Sequence, residues 1–191
     1  MSDLLAIRHA ESTMNALGLW QGQADAPLSE RGQEQARTLA EGLRGRGIAA
    51  LLSSDLARAL ETARAVGEAL GLEPLPERGL REMDVGQWSA RPHAEIQERW
   101  PDDYQRVRAG DWQARAGGGE TRREVRLRVQ DVLERVQREA DGQRVAVVTH
   151  LGVLRSLVPG IQVGNAECVE LAWHEVLGAG APEAVVGEGP L

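Results

Sequence analysis

Leu4-Leu5-Ala6-Ile7-Arg8-His9-Ala10-Glu11-Ser12 opens with four consecutive apolar residues that stop abruptly at a cation and an imidazole. Such a run reads as a short strand buried on both faces. Its C-terminal end delivers Arg8 and His9 to the edge of an open α/β sheet, where ligands bind. An arginine offers a rigid fork of donors suited to phosphate or carboxylate, and a neutral histidine beside it can act as nucleophile or base. An isolated Arg-His pair is more commonly an ordinary hydrogen-bonded strand end, so the reading depends on what else reaches that edge.

Two further apolar runs behave the same way. Ile48-Ala49-Ala50-Leu51-Leu52 ends at Ser53-Ser54-Asp55, and Val145-Ala146-Val147-Val148-Thr149 ends at His150. Helical spacing lies between them. Ser29 is a plausible cap for a helix carrying Ala36, Leu39, Ala40 and Leu43 toward Gly45, and Ser54 or Asp55 for a second helix running from about Asp55 to Leu70. Arg58 falls in the first turn of that second helix, where a cation opposes the helix dipole. Such a conflict between residue and local rule is expected at a functional position. Val125, Val129, Val132, Leu133 and Val136 form the buried stripe of a long helix ending near Ala140. The short helix Leu151 to Val158 would present its first amides beside His150, able to receive an anion.

The remaining segments read as follows. Thr13 to Pro27 is a loop, Pro74-Leu75-Pro76 a short edge strand, and Glu167 to His174 strand-like. Residues 89–119, broken by Pro92, Pro101 and Gly110, carry Ile96, Trp100, Tyr104, Val107 and Trp112 on short amphipathic helices that suggest a cap. A loosely ordered tail is expected from about residue 178, apart from Ala184-Val185-Val186. The fold expected is α/β, a three-layer α/β/α sandwich with a mostly parallel central sheet and helices on both faces, as one domain over residues 1–191.

All 22 basic residues are arginine, and the formal net charge is −7. That balance argues against a nucleic-acid binder, which needs a basic face, so an anionic ligand must be captured by a local cluster of positive charge. The one cysteine, Cys168, reads as a small buried apolar group, and no Cys/His spacing suits a metal. No apolar run reaches membrane-spanning length and no secretory leader pattern opens the chain, so a cytoplasmic location is expected.

Arg8, His9, Arg58 and His150 thus converge on one edge. Arg8-His9-Ala10-Glu11, Asn15, Gln21-Gly22, Asp25, Pro27-Leu28-Ser29 and Gly32 then resemble, in order, the signature of the histidine phosphatase superfamily. The resemblance is to the branch of the cofactor-dependent phosphoglycerate mutases and their broad-specificity or α-ribazole-type phosphatase relatives. Ser53-Ser54-Asp55-Leu56-Ala57-Arg58-Ala59 with Thr62-Ala63, Leu80-Arg81-Glu82 with Gly86 and Trp88, Gly118-Gly119-Glu120, and His150 with Gly152 extend the match over about Leu4 to Arg155. The resemblance implies that His9 becomes phosphorylated while Arg8, Arg58 and His150 hold the phosphoryl oxygens. It also implies that Glu82 protonates the leaving oxygen and then activates water, that Asn15 and Gln21 add neutral hydrogen bonds, and that Gly22 and Leu151 line the substrate site. A histidine nucleophile must be neutral, and nearby arginines favour that state.

Ala10 and Leu151 stand where the family usually has glycine, which is expected to hinder close approach of backbone to phosphate at both. His93 and His174 fall outside the motif and read as structural, and Glu120 reads as a helix cap. The function expected is a metal-independent phosphomonoesterase acting through phosphohistidine on a small phosphorylated metabolite, with no cofactor, nucleic-acid or membrane partner. A homodimer is compatible with this reading. The alternatives are a phosphoglycerate mutase and a non-catalytic phospho-ligand-binding module. The cap arginines Arg91, Arg99, Arg106, Arg108 and Arg115 fit two readings equally, recognition of a second acidic group and solvation of an exposed helix face.

Overall fold

The structure is a computed structural model and describes residues 4–178. The chain runs β1 (Leu4–Arg8), α1 (Thr13–Ala16), α2 (Glu30–Gly42), β2 (Ile48–Ser53), α3 (Ala57–Leu70), β3 (Leu75–Pro76), α4 (His93–Arg99), α5 (Pro101–Ala109), α6 (Arg122–Ala140), β4 (Arg144–Thr149), α7 (Leu151–Leu157), β5 (Cys168–Leu171) and α8 (Trp173–Leu177). The sheet order is β3-β2-β4-β1-β5. The first four pair in parallel, and β5 joins β1 antiparallel.

Side chains on a strand alternate between faces, and here the alternation divides the core in two. Leu5, Ile7, Leu51, Ala146 and Val148 face α2 and α3 through Ala40, Leu43, Ala59, Ala63 and Val66. Leu4, Ala6, Leu52, Val145 and Val147 face the other layer, packed on Val125, Val129 and Leu133 of α6, Val153 and Leu154 of α7 and Trp173 of α8. The expected sandwich is therefore present. The β1 and β4 strands are neighbours, yet the chain leaves β1 toward the α2 layer and leaves β4 toward the α7 layer. Neighbouring strands whose connections part to opposite faces open a crevice beyond their C-terminal ends. His9 and His150 stand there.

Local chemistry sets the element ends. Ser29 Oγ accepts the Gly32 amide at 2.9 Å and starts α2, which stops at Gly42, short of Gly45. The α6 helix opens on a capping box formed by Thr121 and Glu124, so Glu120 is not its cap. Neither Ser54 nor Asp55 caps α3. The N-cap is Leu56, and the Ala57 amide is taken at 2.6 Å by Asp25 Oδ1, 32 residues earlier, while Asp55 is held bidentate by Arg81. The expected loop over 13–27 contains the one-turn helix α1, closed by a Ser12/Asn15 capping box. His174 lies in α8 rather than in a strand, and Cys168 is half-buried beside Arg46 instead of fully buried. Among the described residues no helix is long and apolar enough to cross a membrane. Ala184 to Val186 and the expected tail beyond Gly178 lie outside the described residues.

Candidate active site

His9 follows β1 directly and is 3% exposed. Its backbone is pinned on both sides: the His9 amide donates to Thr149 O at 3.0 Å, and its carbonyl accepts from Asn165 Nδ2 at 3.0 Å. The ring's Nδ1 lies 2.7 Å from Ala10 O. A carbonyl can only accept, so Nδ1 carries the proton and Nε2 keeps its lone pair. Burial, Arg58 and Arg8 hold the imidazole well below the usual histidine range, with the Ala10 hydrogen bond opposing them. A neutral ring with a free Nε2 is the reactive form of a histidine nucleophile.

Two arginines flank it. Arg58, 1% exposed, donates Nη1 to Ala24 O and Nη2 to Gly22 O, each at 2.8 Å. It thereby folds the 21–25 loop over the N-terminus of α3 and pairs with neither Asp55 nor Glu61. Gly22 has φ +51°, and a Cβ there would meet Val85 Cγ2 at 2.5 Å, so a glycine is needed to bring that carbonyl in. Arg8 donates Nη1 to Val163 O at 2.8 Å. The Nε groups of both arginines are buried with no hydrogen-bond partner. Burial lowers the pKa of both guanidiniums, and the Glu82 carboxylate opposes the shift at each.

His150 caps α7 and is fully buried, its ring centroid 5.0 Å from that of His9 and tilted by 57°. It is not among the residues that line the site's cavity. Burial, Arg58 and His9 push its pKa well below the usual range, so this ring is neutral too. His150 Nε2 meets Ser54 Oγ at 2.8 Å, and Nδ1 has no partner. Ser54 Oγ also accepts the Leu56 amide at 3.3 Å, and when its own proton is given to His150 Nε2 the imidazole proton sits on the unpartnered Nδ1.

Glu82 follows the 3₁₀ turn Arg78–Leu80 and reaches across to α7. Its Oε1 accepts the Met83 amide at 2.8 Å and its Oε2 accepts the Gly152 amide at 3.1 Å. The Gly152 amide, at the start of α7, therefore already holds a carboxylate. The Glu82 carbonyl accepts from Arg128 Nη2 at 3.0 Å and Gln23 Nε2 at 3.2 Å. Arg128 is itself paired with Glu120, whose Oε2 accepts the Asp84 amide at 2.8 Å. Glu120 thus braces the Glu82 turn. On the opposite wall, Asn15 Oδ1 accepts from the Ser12 amide at 3.2 Å, and Gln21 Oε1 accepts from Ser12 Oγ at 2.7 Å. With both carbonyl ends occupied, the two NH₂ groups remain available.

Arg8, His9, Asn15, Gln21, Gly22, Arg58, Glu82 and Leu151 all line one cavity of about 360 Å³. The hindrance expected at Ala10 is absent: its methyl packs with Leu28 and Ala36, away from the cavity, and its amide donates to Thr62 Oγ1 at 3.0 Å. Sequence reasoning missed several neighbours of the site. Asn165 and Arg128 hold backbone at His9 and Glu82, while Arg122 and Arg155 line the cavity together with His93, expected to be structural, and Arg108, a cap arginine whose role the sequence left open. Nothing local in the sequence marks them, since each comes from a distant element. Among the described residues no three of His, Cys, Asp or Glu gather as metal ligands.

Residues 4–173 match the family model described as the histidine phosphatase superfamily, branch 1. The chain is 37% identical over 157 residues to phosphoserine phosphatase 1 of Hydrogenobacter thermophilus, covering 82% of this chain and 74% of that protein. It is 34% identical over 165 residues to a probable phosphoglycerate mutase of an Enterobacter strain, covering 84% and 76%. Among solved structures, a mycobacterial glucosyl-3-phosphoglycerate phosphatase in complex with VO3 superposes with a TM-score of 0.83 at 31% identity, covering 90% of this chain and 91% of that one.

Proposed function

The chain is a phosphatase belonging to the histidine phosphatase superfamily, and from that premise we propose that it hydrolyses a small phosphomonoester through a phosphohistidine formed at His9. One observation carries this reading. A buried, neutral imidazole has its Nδ1–H committed to Ala10 O and shares its cavity with two guanidiniums, of Arg8 and Arg58, whose Nε–H groups have no protein acceptor.

The His9 Nε2 lone pair attacks phosphorus in line with the ester bond. As the N–P bond forms, the P–O bond breaks and Glu82 relays the proton of the ester's phosphate monoanion to the leaving alkoxide. Arg8 and Arg58 meet the non-bridging oxygens, and the buried Nδ1–H of His150, which has no protein partner, reaches them as the phosphoryl group seats beside His9, with the amides of Asn15 and Gln21 beside them and Gly22 and Leu151 forming the wall. These donors are held before reaction, so their charge stabilises the transferring phosphoryl group without reorganisation. In the second step Glu82, now a carboxylate, takes a proton from water as its oxygen attacks phosphorus, the N–P bond breaks, and neutral His9 and phosphate result. The metal-independent route follows from this donor set, which supplies the neutralising charge from the chain's own residues.

A mutase would differ only in handing the phosphoryl group to a hydroxyl in place of water, and the Enterobacter relative keeps that reading open. The decisive experiment is rapid mixing with a ³²P-labelled ester, acid-labile label being mapped by mass spectrometry. The label is expected on His9 and absent from His9→Ala, and a label on any other residue overturns the mechanism. Formation of 2-phosphoglycerate from 3-phosphoglycerate faster than free phosphate would favour the mutase.

A further inference from the structure

The cavity holds more positive charge than one phosphoryl group requires. Five arginines line it, Arg8, Arg58, Arg108, Arg122 and Arg155, against the single carboxylate of Glu82. Most cap arginines are already neutralised: Arg91 and Arg99 share Glu95, Arg106 pairs with Asp111 and Arg115 with Glu124. Their expected role in recognising an acidic group is therefore set aside. Among the described residues Arg108, Arg122 and Arg155 form no ion pair. Arg122 reaches only Val107 O at 3.5 Å, and Arg155 reaches Ile161 O at 3.5 Å and Gln162 Oε1 at 3.2 Å.

These three come from three elements, α5, α6 and α7, and two of them, Arg122 and Arg155, are placed at a cost. Arg122 is the first residue of α6, where a cation opposes the helix dipole. Arg155 lies near enough to both Arg8 and Arg122 to repel their charges. Like charges gathered without a counter-ion destabilise a fold unless something binds them. Arg108 is exposed and Arg122 and Arg155 are half-buried, as Arg8 is, whereas Arg58 is fully buried, so Arg108 marks the solvent side of the cavity. His93 joins them. Trp20 Nε1 donates to its Nδ1 at 2.8 Å, which leaves Nε2 to carry the ring proton as a neutral donor.

We infer that Arg108, Arg122 and Arg155, with His93, form a second anion subsite. On the phosphatase reading above, the substrate is then a small phosphomonoester carrying a second anionic group, a carboxylate or a further phosphate. The guanidinium fork suits either group. Leu19, Val107 and Leu151 on the walls suit a short carbon skeleton between the two charges.

The test compares kcat/KM within matched pairs: 3-phosphoglycerate against glycerol 3-phosphate for a carboxylate, and fructose 1,6-bisphosphate against fructose 6-phosphate for a second phosphate. Wild-type protein is expected to favour the doubly anionic member of one pair by about tenfold or more, the scale of one charge-assisted hydrogen bond. The favoured pair identifies the group. Arg122→Gln and Arg155→Gln are each expected to collapse that ratio toward unity, and the exposed Arg108→Gln supplies a variant with little risk to folding. Equal rates within both pairs, or ratios untouched in all three variants, overturn the subsite while leaving the phosphatase reading intact. If no ester is turned over, p-nitrophenyl phosphate included, the phosphatase reading fails. Calorimetric binding of the same pairs then decides the subsite, equal affinities overturning it.

Discussion

Gly152 donates its amide to Glu82 Oε2 at 3.1 Å, and a Cβ at Gly152 would sit 2.2 Å from Glu82 Oε1. The contact welds the start of α7 to a carboxylate delivered from a different part of the chain. It also makes position 152 a gauge of where the carboxylate stands.

Gly152→Ala is accordingly expected to move the Glu82 carboxyl group and leave Arg8, Arg58 and His9 in place. Misplacing a catalytic group by about 1 Å costs on the order of 10²-fold, so kcat should fall by about that factor while KM changes little. Steady-state kinetics on p-nitrophenyl phosphate, with a melting curve to confirm folding, makes the check. A kcat within about threefold of wild type would separate Glu82 from the proton transfers.

Arg58→Ala is expected to lose about 2 to 4 kcal/mol of transition-state stabilisation, a drop of roughly 30-fold to 10³-fold in kcat/KM, as for removal of one preorganised oxyanion donor. The same change strips donors from the carbonyls of Gly22 and Ala24, so stability should fall by about 1 to 3 kcal/mol. Inorganic phosphate should raise the melting temperature of the wild type and do so far less in the variant, since a ligand stabilises only what it binds. Equal protection of the two proteins would contradict the placement of Arg58 at the phosphoryl oxygens.

Much of this was legible because strands and helix stripes announce themselves through local periodicity. The apolar runs ending at Arg8-His9 and His150, the valine stripe of α6 and the proline-flanked edge strand all appear where the pattern puts them. What was not legible depends on partners distant in sequence. Asp25 caps α3 from 32 residues away, and no local rule anticipates it. Glu120 looks like a helix cap until Arg128 and the Asp84 amide are seen to claim it. Arg122 and Arg155 are indistinguishable in sequence from solvated helix arginines, and only folding shows that they share a cavity.

Ser54→Ala removes the hydroxyl that fixes the tautomer of His150. The ring could then hold its proton on either nitrogen, weakening the donor directed at the phosphoryl oxygens. A fall in kcat/KM of about tenfold is expected, the net worth of a hydrogen bond to a charged group, with His150→Gln and the double variant falling no further than His150→Gln alone. Additive losses in the double-mutant cycle would show that Ser54 acts independently of His150.

Addition of EDTA is expected to leave the rate of p-nitrophenyl phosphate hydrolysis unchanged, since the charge that neutralises the phosphoryl oxygens comes from Arg8 and Arg58, with His150 a neutral donor beside them. The check is a rate measured before and after dialysis against chelator. Loss of activity restored by a divalent cation would point to metal-assisted chemistry in place of this donor set.

Acid sensitivity follows from the two buried imidazoles. His9 and His150 are neutral in the folded protein, their pKa values held well below the ordinary one by burial and by Arg58, whereas in the unfolded chain they titrate near pH 6.5. Below about pH 6.5 the unfolded state therefore binds protons that the folded state refuses, and stability falls as pH falls toward the depressed folded values. Above that pH both states are neutral and the effect vanishes. Two such groups give a limiting slope of about 2.7 kcal/mol per pH unit, one proton contributing about half of it. Urea unfolding at pH 7.5, 6.5, 6.0 and 5.5, a window chosen above the carboxylate range on the basis of ordinary side-chain values, reads the slope directly. His150→Gln should reduce it by about half, because one titrating site is gone. A stability that stays flat from pH 7.5 to 5.5 would mean that His9 and His150 accept protons in the fold, and a protonated His9 could not be the nucleophile.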